Sequence, residues 1–125
     1  MASTQWHCYY WRGRIHDYND AQRRDLQVAI PPIQVKYWLQ KPASMRVAIH
    51  ADMDTALEWL MAEYDKHRPS MMLEEPKKME HRPNAEHLRR CLAGEKIVLC
   101  GYWMQDITQA QMVIVPNESV DLRLP

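Results

Sequence analysis

Two short runs bring titratable side chains close enough to act together. In His50-Ala51-Asp52-Met53-Asp54, alternate residues of an extended segment point the same way. An imidazole and two carboxylates could then converge on a divalent cation or a water molecule, the set that metal-assisted hydrolysis would need. The competing reading of Asp52 and Asp54 is structural. An Asp just ahead of a helix accepts hydrogen bonds from free N–H groups and meets the positive end of the helix dipole. In His87-Leu88-Arg89-Arg90-Cys91 an imidazole and a thiol stand one helical turn apart, a spacing that could hold Zn²⁺. Completing that tetrahedron would require Cys100 and either His7 or Cys8. Cys91 also falls three residues after Leu88, where a small core residue belongs. Cys8 beside His7 is the least implausible nucleophile, although nothing local would lower its pKa. The chain has no GxSxG, no HExxH and no phosphate-cradling glycine loop, and only three glycines. The residue pattern therefore predicts no catalytic residues and no cofactor.

A second kind of chemistry is recognition. The run Trp6 to Arg14 (WHCYYWRGR) interleaves aromatics with arginine. On an exposed strand such rings stack on bases while arginines meet phosphates, the logic of single-strand binding surfaces, and Arg23-Arg24 could extend the patch. The same residue types serve protein interfaces, where aromatics, Met and Arg are enriched. Trp6, Tyr9, Trp11, Arg12 and Arg14 are thus candidate partner-binding residues, joined by Met71 and Met72. Sixteen basic and sixteen acidic residues give a net charge of zero, so the basic excess that drives duplex-DNA binding is missing. Neutrality also removes the solubility that net charge supplies, which suits work within an assembly.

These residues have to be positioned by elements. Gln5 to Arg12 reads as a strand with Trp6, Cys8 and Tyr10 on one face and His7, Tyr9 and Trp11 on the other. Asn19 or Asp20 caps a short helix running through Leu26 and ending before Pro31-Pro32. Ile33, Val35, Tyr37 and Leu39 alternate, and Met45 to His50 alternates back after Lys41-Pro42-Ala43-Ser44, which predicts a hairpin. Thr55 and Glu58 match a capping box, and Leu57, Leu60, Met61 and Tyr64 form the stripe of a helix over 55–67. Residues 68–83 contain three prolines and two charge clusters, which predicts a long loop. Asn84 caps a helix with Leu88 and Leu92 inward and Gly94 in the C′ position. The apolar run within 96–104 reads as a strand buried on both faces, inside the sheet and antiparallel to 110–115.

At 125 residues, 46% hydrophobic and 26% charged, the chain fits one globular domain of the usual size, about 100–150 residues. The predicted fold class is α+β, a single mostly antiparallel sheet with two main helices packed on one face. The domain spans 1–116, and a polar tail covers 117–125. Three cysteines with no CxxC are not a disulfide framework. The N-terminus lacks a signal-peptide pattern and no apolar stretch could span a bilayer, so the expected setting is the cytoplasm, without membrane contact. The expected role is a small non-catalytic binding or regulatory protein acting through protein contacts, with a homo-oligomer among the options. Single-stranded nucleic-acid binding and metal-assisted hydrolysis at His50, Asp52 and Asp54 are the alternatives.

Overall fold

The computed structural model describes residues 4–123. Four strands, β1 (Trp6–Gly13), β2 (Arg46–His50), β3 (Val98–Trp103) and β4 (Gln109–Pro116), form one antiparallel sheet in the order β2-β1-β4-β3. The helices are α1 (Asp20–Arg24), α2 (Met53–His67), α3 (Lys77–Glu80) and α4 (Ala85–Ala93). The fold is α+β, with α2 and α4 together on one face of the sheet. None of the described helices is long and apolar enough to cross a membrane.

The sheet faces follow the alternation along β1. Cys8 lies between Ala48 and Ile114 in register and joins Leu57, Leu60, Tyr64, Leu88 and Leu92 in the core under α2 and α4. Tyr9, opposite Val113, points to the other face. There Trp38 and Met45 cover Tyr9, Val113 and Val115, so an irregular layer closes the second side. Between the layers β4 is buried from Ala110 to Pro116.

β4, not the 96–104 segment, is therefore the strand with no solvent face. β3 is an edge strand, and Leu99 and Trp103 remain about 40% exposed. The unbroken apolar run of β3 reflects one buried row, Val98 with partly buried Cys100 and Tyr102, and an outward row that is apolar for another reason.

The expected hairpin of 33–39 with 45–50 does not form. Val35–Gln40 is a 3₁₀ helix, and β2 pairs with β1 instead, Trp6 opposite His50. A strand there would bury Val35 and Tyr37 and turn Trp38 toward water. Burying the larger indole wins: Trp38 is fully buried, its ring 5.2 Å from that of Tyr9, while Ile33 and Val35 stay exposed. Lys41 anchors this layer. Its buried ammonium donates to the carbonyls of Asp25 (2.8 Å) and Val28 (3.1 Å), and burial lowers its pKa.

The helix starts are set locally. Asn19 and Gln22 form a capping box at α1, and the Asn84 side chain accepts from the His87 N–H at 3.0 Å. α2 begins at Met53, and Asp52 replaces the expected Thr55–Glu58 box: it accepts from the N–H groups of Asp54 and Thr55 and from the Thr55 hydroxyl. At the end of α4 the left-handed residue is Glu95 (φ 58°) rather than Gly94. The stretch 68–83 is pinned to the body and carries α3. Tyr64 donates its hydroxyl to the Lys78 carbonyl, and Arg82 grips Asp65 through two bonds of 3.0 and 2.9 Å. Residues after the sheet fold back too, since Asp121 accepts from the Ile97 N–H at 2.8 Å.

Candidate protein-contact surface

At one end of the sheet the β3–β4 turn, the start of the 68–83 stretch and the residues after β1 meet. The turn closes through Met104, whose N–H donates to the Thr108 carbonyl (2.8 Å) and whose carbonyl accepts from Ile107 (3.0 Å). Arg12, on β1, clamps it from outside. Its guanidinium meets Asp106 at 2.9 Å and donates to the Thr108 hydroxyl at 3.0 Å. Asp106 in turn accepts from the Thr108 N–H and hydroxyl, and these donors with Arg12 hold its carboxyl below the usual range.

So held, the turn presents Ile107 at φ 61° with 55% of its surface exposed. A β-branched residue in the left-handed region is a genuine outlier. Beside it, Ser70 to Met72 add to the edge of β3: the Met72 N–H donates to the Trp103 carbonyl (3.0 Å) and the Gln105 N–H to the Ser70 carbonyl (2.9 Å). Extended neighbours point opposite ways. Met71, bridged to Met104, is buried, and Met72 faces out at 52% exposure. On the far side, the 3₁₀ turn Ile15–Asp17 buries Ile15 and stacks His16 on Trp103, ring centroids 5.4 Å apart. Arg14 pairs with Asp17 at 3.3 Å.

Met72, Trp103 and Ile107 thus surround a hollow of about 210 Å³, with Arg14 and Asp17 on its other wall. A second hollow of about 460 Å³ lies past the His16–Trp103 stack, floored by Gln109 and Gln111. The Gln111 amide donates to Gln109 at 2.7 Å. Trp11 makes an edge contact with Tyr18, and its indole lies back over Gly13, where a Cβ would come within 2.6 Å of the ring. Only glycine allows that approach.

Of the residues singled out in the sequence, Arg12, Arg14 and Met72 come together here, and Trp11 adjoins through Tyr18. Tyr9 and Met71 are core residues, and Trp6 is half-buried at the helix-side core. Trp103, Ile107 and His16 were not among the candidates. Trp103 read as part of a doubly buried strand, and nothing marks Ile107 beyond an apolar residue following the polar pair Gln105-Asp106.

The other constellations do not assemble. Asp52 is occupied as the α2 cap, Asp54 pairs with Arg89 at 3.0 Å, and His50 Nε2 is buried with no partner among the described residues. The Cys91 thiol lies 3.7 Å from His87 Nε2, and among the described residues no third ligand joins them. Among the described residues no group of three His, Cys, Asp or Glu side chains could hold a metal ion. Burial pushes the Cys8 thiol up to about 12 and that of Cys100 to about 11, so neither is a thiolate near neutral pH. No family model matches the chain, and comparison with curated proteins and with solved structures gives no significant match.

Proposed function

We propose that this chain is a small non-catalytic binding protein that takes a protein partner through the Met72–Trp103–Ile107 end of its sheet. One observation carries the reading. An exposed apolar centre is ringed by two ion pairs, Arg12–Asp106 and Arg14–Asp17, each already neutralised within the chain. Protein interfaces have this anatomy, an apolar middle and a polar rim. The backbone of Ile107 adds support, because the turn bonds and the Arg12 clamp hold a strained residue outward, where its side chain gains little burial within the chain. A regulatory role in the cytoplasm fits three free cysteines. A second copy of the chain is one candidate partner.

Single-stranded nucleic acid is the competing ligand, and less favours it. Arg12 and Arg14 are engaged with carboxylates, and Tyr9 is buried. The immobilised chain should retain a defined protein from a lysate of its own cell, and Met72→Asp or Ile107→Asp should abolish retention without lowering the melting temperature. Fluorescence anisotropy should detect no binding of a labelled single-stranded oligonucleotide at low salt. Equal retention by the variants, or oligonucleotide binding that Trp11→Ala removes, would overturn the proposal.

A further inference from the structure

The layer over the second face of the sheet has a charge of its own. Between positions 21 and 51 the sequence holds Arg23, Arg24, Lys36, Lys41 and Arg46 against one carboxylate, Asp25, in a chain of zero net charge. A hollow of about 380 Å³ opens in this layer beside α1. Leu26, Pro32, Ile33 and the ring of Tyr37 form apolar walls, Arg23 and Arg24 supply positive charge, and no carboxylate lines it.

We propose that this hollow binds a small organic anion, a flat ring that carries a phosphate or carboxylate group. Ligand sites commonly span roughly 300–1,000 Å³ and combine apolar walls with a few placed polar groups. The volume lies near the lower bound, so it suits one ring system with its anionic group and not a dinucleotide. The charged side is preorganised. Arg23 donates through Nε to the Pro31 carbonyl and through Nη2 to the Pro32 carbonyl, each at 3.2 Å. A guanidinium has five N–H donors in a fixed fork, so the rest are held ready for an acceptor. Arg24 is exposed and unpaired among the described residues. The wall is stiff as well, because Pro31 and Pro32 fix their own φ and lose little freedom when a ligand arrives. Tyr37 adds an aromatic ring to the lining, with the Lys36 ammonium over that ring 5.1 Å from its centroid.

The test is a titration of the full chain with AMP, phenyl phosphate and benzoate, followed by NMR at the Ile33 methyls and the Tyr37 ring. Adenosine, phenol and inorganic phosphate are the matching controls without charge or without ring. The three anions distinguish a nucleotide from a simple aryl ligand and a phosphate from a carboxylate. At least one anion should saturate both signals at a concentration about tenfold or more below that of its controls. Arg24→Ala, a surface change, should weaken that binding about tenfold, as loss of a charge-assisted hydrogen bond does. No saturation by any of the three up to about 10 mM would overturn the proposal. So would equal binding of a control, or indifference to Arg24→Ala.

Discussion

A left-handed, half-exposed isoleucine is an expensive residue. Ile107 at φ 61° costs roughly 1–2 kcal/mol that glycine would not, and at 55% exposure its burial returns little. Ile107→Gly should therefore raise stability by about 0.5–1 kcal/mol, after subtracting the extra freedom glycine has in the unfolded chain. The denaturant midpoint reads this, and a destabilised variant would show that Ile107 packs inside the molecule. His7 makes a prediction of opposite kind. Burial, then the Arg46 charge, lowers its pKa below 6.5. As pH falls through 6.5 the unfolded chain takes up this proton before the folded one does, so His7 makes stability fall with pH and the fall ends once the folded imidazole is protonated. The stability difference between wild type and His7→Gln should accordingly change across that window and be flat above about pH 7.5. A difference that is constant from pH 5 to 8 would show that His7 is not perturbed.

Among the elements, strand position is decisive. Ile114 on β4 is fully buried, whereas Leu99 on β3 is 41% exposed. Ile114→Ala should cost about 2–5 kcal/mol and Leu99→Ala below about 1. Equal costs would contradict the strand order. The start of α2 allows a sharper test of the metal alternative. With Asp52 engaged as a cap, Mn²⁺ or Zn²⁺ should leave the melting temperature unchanged, and Asp52→Ala should lower it equally with and without metal. A metal-dependent rise lost in Asp52→Ala would revive the hydrolase. α2, α4 and both faces of β1 were legible in the sequence because each rests on a local period: the Leu57–Leu60–Met61–Tyr64 stripe, the Asn84 cap and the alternation about Cys8 and Tyr9. The antiparallel pairing of β3 with β4 was legible as well, but which of the two is central was not, since an apolar run fits a central or an edge strand and long-range pairing decides between them. The 33–39 segment misled for a related reason. Its alternation is strand-like, but Trp38, out of phase with it, took the core. At the contact surface Arg12, Arg14 and Met72 were legible by residue type. Trp103 and Ile107 became visible only with the Met71–Met104 bridge and the Arg12 clamp, which join segments far apart in the chain.

Taken whole, the neutral chain is polarised. Residues 21–51, which include the cover over the second face, carry five basic residues against one acidic. Residues 52–86, with α2 and the start of α4 on the opposite face, hold nine carboxylates against five Lys and Arg. The contact surface lies at the end of the sheet between these layers, where the nearby ion pairs are balanced. A partner seated there would be oriented by the field of the two layers and held by the apolar centre, so added salt should slow its association more than it speeds its release. The most direct test is a photo-activated benzophenone side chain at position 107 of the chain in its own cell, with the same group at position 58 on α2 as the control. Irradiation should give a discrete protein adduct from position 107, of a partner or of a second copy, that Met72→Asp removes and that position 58 does not give. No adduct at 107, or the same adducts from both positions, would contradict the assignment of this surface.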